Sequence, residues 1–138
     1  MFLDTTTDER ITQWRTFRDT LEECIDPYRA SLEFWKTAPV TDKYLNPYNS
    51  QQWPTPWELI KENRYCPVGI PLMIGHTLKL TTRFTKTSVL IKIYIDHTTK
   101  RYYNVVKVCD NIIDYDNDSV CISSDLPDSM VCQETIEL

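Results

Sequence analysis

Glycine is almost missing from this chain, with two residues among 138 where ordinary usage is about 7%. A glycine-rich loop that cradles phosphate is therefore excluded, and turns fall to Asn, Asp and eight prolines, which make rigid connections. Also missing are any C-x-x-C pair and any histidines at metal spacing. The five cysteines, at 24, 66, 109, 121 and 132, are an odd set that reads as reduced thiols made in a cytosol, neither a disulfide framework nor a zinc site. No lysine or arginine run occurs, and the net charge is -5 with a pI near 5.0. Binding nucleic acid by phosphate neutralisation needs a clustered basic footprint, so that class is not expected. The N-terminus has no charged segment leading into an apolar run, which argues against a secretory signal. No apolar stretch approaches the roughly 20 residues of a membrane span.

What is present is enough apolar material, 41% hydrophobic and 12% aromatic, to build one ordinary core, so a single domain is expected over residues 1–138. Thr6 with Glu9 forms a capping-box pattern, followed by Ile11, Trp14, Phe17, Leu21 and Ile25 at three- and four-residue intervals. An amphipathic helix over about 7–25 follows, stopped by Asp26-Pro27. That pair also starts the next helix, with Asp26 as the cap and Pro27 in the first helical position; Ala38-Pro39 ends it. "TPWE" (55–58) repeats the device: Thr55 caps, Pro56 opens, and Glu58 is set to reach back. A central helix is expected within 65–80, entered through Pro67 or Pro71.

After residue 80 the period changes from helical to alternating. "SVLIKIYI" (88–95) puts Val89, Ile91, Ile93 and Ile95 on one face of a strand, and "YYNVVKV" (102–108) alternates likewise. "IIDY" supplies a short third strand, and the segment 124–138 an edge strand or a tail. The fold class is α+β: a mainly helical 1–64, a central helix, and an antiparallel meander of three or four strands over 87–123.

A cysteine ahead of a buried helix, then an antiparallel meander, resembles over residues 66–115 the transglutaminase-like branch of the papain-type fold. That resemblance implies a thiol nucleophile at the helix N-terminus, a histidine on the second strand and an aspartate on the third. Cys66 and Asp114 match the first and last; the strand offers Asn104 or Tyr103 where histidine would stand, and His97 lies in the preceding turn. Asparagine cannot take a thiol proton as a general base must. His76 reads as a core histidine bonded to a backbone carbonyl. Asp114, Asp116 and Asp118 alternate as at the start of a calcium loop but lack its glycine and distal glutamate, so a solvated acidic turn is the reading. No cofactor is expected.

A second resemblance covers most of the chain. "RITQWRTFRDTL", then "DPY…FWKTAP", "NPYNSQQWPTPWELI" and "YC" ahead of a helix and a sheet, is similar to a family of small virion-associated proteins of contractile-tailed phages, especially those of marine cyanobacteria. This implies a non-enzymatic structural or assembly protein of the neck, tail or baseplate, made in the host cytoplasm and held in a symmetric multi-copy array by other virion proteins. Neither nucleic acid nor membrane is an expected partner. Tyr48, Trp53 and the segment bearing Met130, Val131, Ile136 and Leu138 are the expected contacts. The alternatives are a cysteine hydrolase or acyltransferase with Cys66 as nucleophile, and a small host-takeover binding protein.

Overall fold

The computed structural model describes residues 2–41 and 45–138. Four helices, α1 (Thr7–Leu21), α2 (Pro27–Trp35), α3 (Pro56–Glu62) and α4 (Gly69–Lys79), precede five strands: β1 (Val89–Asp96), β2 (Tyr102–Val108), β3 (Asn111–Asp114), β4 (Ser119–Ile122) and β5 (Met130–Glu137). All neighbours in the sheet are antiparallel, in the order β4-β3-β2-β1-β5. The expected α+β class is thus observed, with a fuller sheet. The segment expected as an edge strand or tail is an eight-residue strand on the far side of β1.

Each helix starts where its side chains satisfy free N–H groups. Thr6 and Glu9 complete the reciprocal box on α1. Asp26 accepts from the N–H of Arg29, and Thr55 from that of Glu58. α1 stops at Leu21, short of the expected 25, because its end is fastened elsewhere. The Glu22 carboxylate accepts from the N–H groups of Thr82 and Arg83, and the Arg83 guanidinium donates to the carbonyls of Leu21 and Cys24. Ile25, placed by periodicity on the apolar face, is consequently fully exposed.

The sheet carries two different faces. Val89 and Ile91 of β1, Val106 and Val108 of β2, and Ile113 of β3 join the main core with the helices. Tyr94, Tyr103, Val105 and Ile112 point the other way, under Cys121, Leu126 and Met130. A bulge in the pairing of β1 with β5 falls between Ile93 and Tyr94. α4 lies close against the sheet at Gly75, where a Cβ would come within 2.6 Å of Leu138 Cδ1, 3.3 Å of Ile91 Cδ1 and 3.5 Å of Val89 Cγ1. Any larger residue there would have to displace the Leu138 side chain.

α4 is tied to α1 and α2 through one hydroxyl. The indole N–H groups of Trp14 and Trp35 each donate to Thr77 Oγ1 at 2.9 Å, and Thr77 donates to the Met73 carbonyl. All three side chains are fully buried. Thr77→Val keeps shape but strands two buried N–H donors, each costing about 1–3 kcal/mol. Urea denaturation is expected to show a loss of about 2–5 kcal/mol for Thr77→Val, with Thr77→Ser keeping most of the stability.

Candidate active site

Cys66 stands ahead of α4, whose capping position is Val68. Its carbonyl accepts from the N–H of Ile70 at 3.0 Å, and its Sγ accepts from the N–H of Gly69, the first residue of the helix, at 3.3 Å. Pro67, in the turn between them, has no N–H to leave free. A second N–H reaches the sulfur from far along the chain, that of Leu45, also at 3.3 Å. The chain is drawn there by a parallel bridge between Val40 and Tyr65, in which Tyr65 N–H donates to the Pro39 carbonyl and Thr41 N–H to that of Tyr65. The sulfur is 2% exposed as part of its residue and borders a cleft of about 270 Å³ whose other walls include Gln52, Leu59, Glu62 and Arg64. The positive ends of two peptide dipoles and of an eleven-residue helix therefore meet at Sγ.

The other residues named from the sequence are placed apart from it. His97 is exposed in the β1–β2 turn, where its backbone N–H donates to the Ser129 carbonyl. Asp114 pairs with Val105 on the sheet face turned away from the helices, lines a separate cavity with Asp96, Tyr103 and Cys121, and accepts from the backbone and side-chain N–H groups of Asn117. Asn104, two residues before Val106, is on the helix-facing side of β2; its Oδ1 is buried and without a partner among the described residues. Tyr103, the other sequence alternative, faces the opposite way. Cys66, His97 and Asp114 are thus not brought together.

The three aspartates of the acidic turn also diverge. Asp118 is engaged by Lys36 at 2.9 Å and Arg29 at 3.2 Å, which keep its carboxyl below the usual range, the Lys36 hydrogen bond contributing most. Asp116 is pushed the other way, first by desolvation and then by the charge of Asp114, although the residue as a whole remains exposed. Among the described residues no three His, Cys, Asp or Glu side chains converge as a metal site. These residues do not fit a bound calcium ion. The Asp118 pairs instead link α2 to the β3–β4 turn at the solvent-exposed surface.

His76 stands ten residues along from Cys66, about 15 Å at helical rise. It lines a separate groove with Trp53, Pro54, Leu72, Ile136 and Leu138. Its side chain makes no hydrogen bond among the described residues, so the expected carbonyl partner is absent. Trp53 is half-buried and donates to the Asn46 carbonyl at 2.7 Å, while Tyr48 is 55% exposed. Of the C-terminal residues, Ile136 and Leu138 pack on the main core, Met130 on the smaller cluster, and Val131 is exposed. No helix of the described residues is long and apolar enough to cross a membrane.

Helices layered on one face of an antiparallel sheet, with a cysteine opening the central helix, are the arrangement of the transglutaminase-like, papain-type fold. The solved structure of calcium-bound LapG from Legionella pneumophila shares it, at a TM-score of 0.71 and 14% identity over 96% of this chain and 77% of that one. No family model and no curated protein matches the chain. The likeness overturns two expectations, the phage virion structural role and the absence of enzymatic activity: the fold found is the one the chain shares with LapG. At this identity the likeness establishes the fold alone.

The bond from the Gly69 N–H to the Cys66 sulfur escaped the sequence reading. The Leu45 donor had no local signal at all.

Burial lowers the His76 pKa from 6.5 to about 4. The folded chain therefore resists protonation that the unfolded chain accepts, so stability is full above about pH 6.5 and falls as pH drops toward 4, by at most about 3 kcal/mol. Denaturation midpoints followed from pH 7 to 4.5 are expected to fall less steeply for His76→Leu than for the parent chain.

Proposed function

We propose that the chain is a cysteine-dependent hydrolase or acyltransferase of the transglutaminase-like type, with Cys66 as its nucleophile. The observation that carries this reading is the sulfur at the head of α4, facing the N–H groups of Gly69 and Leu45 on the wall of a cleft. In the reaction, Sγ attacks an acyl carbonyl carbon and the thiol proton passes to a base. The C–S bond forms, the C–N or C–O bond breaks, and the leaving group departs protonated. Water or an amine then attacks the thioester and restores the thiol.

Neither histidine is placed to take the proton, and Asn104 on the helix-facing side of β2 cannot. A reaction run without a positioned imidazole is a slow one, since such a base contributes typically about 10²–10⁴-fold. Cys66→Ser keeps an acceptor for the Gly69 N–H and removes the thiol nucleophile.

Iodoacetamide at neutral pH, with adducts located by peptide mass spectrometry, is expected to modify Cys66 faster than the more exposed Cys109 and Cys132. Cys66→Ser is expected to fold with little change in stability and to lose acyl-enzyme formation on a thioester or activated ester. Modification of Cys109 and Cys132 alone would remove the proposal. Asn104→His adds an imidazole to the helix-facing side of β2 and is expected to raise the acylation rate by about tenfold or more.

A further inference from the structure

We infer that the Cys66 cleft takes a small zwitterionic acyl compound, a peptide of about two residues with both ends free, the carboxylate held by Arg64 and the ammonium by Glu62. This rests on the reading of Cys66 as the nucleophile. Three observations converge on it. At about 270 Å³ the cleft is a little smaller than the roughly 300–1,000 Å³ that drug-sized ligands occupy, which suits a short compound. Arg64 and Glu62, both exposed at its rim, carry opposite charges, and neither forms an ion pair or hydrogen bond among the described residues. The guanidinium fork suits a carboxylate in two-point contact, and the carboxylate of Glu62 suits an ammonium. Gln52, on the same wall, adds an amide that both donates and accepts, matching a peptide group between the two charged ends.

The charge arrangement also predicts what is rejected. Blocking either end of the compound leaves one charged residue facing an uncharged group, and a lost charged hydrogen bond costs about ten- to a hundredfold in affinity. A long polypeptide presents neither free end at its interior bonds.

The test uses the whole chain and the dipeptide alanyl-glycine, its N-acetyl form and its C-terminal amide. Calorimetric titration of Cys66→Ser reads binding whether or not the thiol is reactive. The free dipeptide is expected to bind at least tenfold more tightly than either blocked form, and Arg64→Gln to abolish the preference for the free carboxylate over the amide. Equal binding of all three, or no binding of any, overturns the inference. In the parent chain the free dipeptide is further expected to slow iodoacetamide modification of Cys66 at concentrations where the amide does not. Labelling of Cys66 without selective protection would sink the substrate class and leave the nucleophile standing; dipeptide binding without labelling would do the reverse.

Discussion

Everything in this molecule is arranged around the hydroxyl of Thr77. An indole N–H buried without a partner is expensive, and the core holds two of them, Trp14 from α1 and Trp35 from α2. Both are satisfied by one oxygen on α4, which passes its own proton to the carbonyl of Met73. The oxygen thereby uses both lone pairs and its hydrogen. Because each bond is directional, α1 and α2 are fixed in rotation and in position relative to α4, which apolar contact alone does far less strictly. The aromatic contacts follow from that placement: Trp35 stands edge-on to Phe2, Phe34 and Tyr65, and Trp14 edge-on to Trp57 with Arg18 over its ring.

The candidate site inherits this rigidity. α4 is pressed to the sheet at Gly75 and locked to the other helices at Thr77, so its N-terminal end has little freedom, and Cys66 is bonded into that end by both its carbonyl and its sulfur. The loop that brings Leu45 to the sulfur is anchored beside it at Tyr65. A thiol placed this way needs no lid to be positioned. What the site lacks is an imidazole. The strand position facing the helices holds Asn104, whose buried oxygen has no partner among the described residues. The thiol is held by two N–H groups, and Asn104 on the helix-facing side of β2 is not among the residues that line its cleft.

Much of the fold was legible because helix starts are written in four residues. Thr6, Asp26 and Thr55 all cap as their sequence patterns require, and β1 and β2 stand within a residue of their expected limits. The exceptions have long-range causes. Ile25 follows the helical period of α1 yet lies in solvent, because Glu22 and Arg83 end the helix by bonding across about sixty residues of chain. The last strand was legible only as an edge or tail, since its hydrogen-bond partner is β1, some forty residues upstream. The virion role came from motif texture, and within that texture "WPTPW" is a helix start with an indole on either side.

The sequence by itself determined where the helices begin, that the second half is a meander, and that Cys66 stands ahead of the central helix. These depend on contacts within a few residues and on the periods of helix and strand. Only the tertiary structure decided which residues share the site with Cys66. Along a strand, neighbours face opposite ways, so parity sends Asn104 toward the helices and Asp114 to the far face, and a shift of one residue would have exchanged them. The Leu45 N–H, the Glu62 and Arg64 walls of the cleft and the seclusion of His76 likewise arise from how distant segments close around α4, which no local pattern encodes.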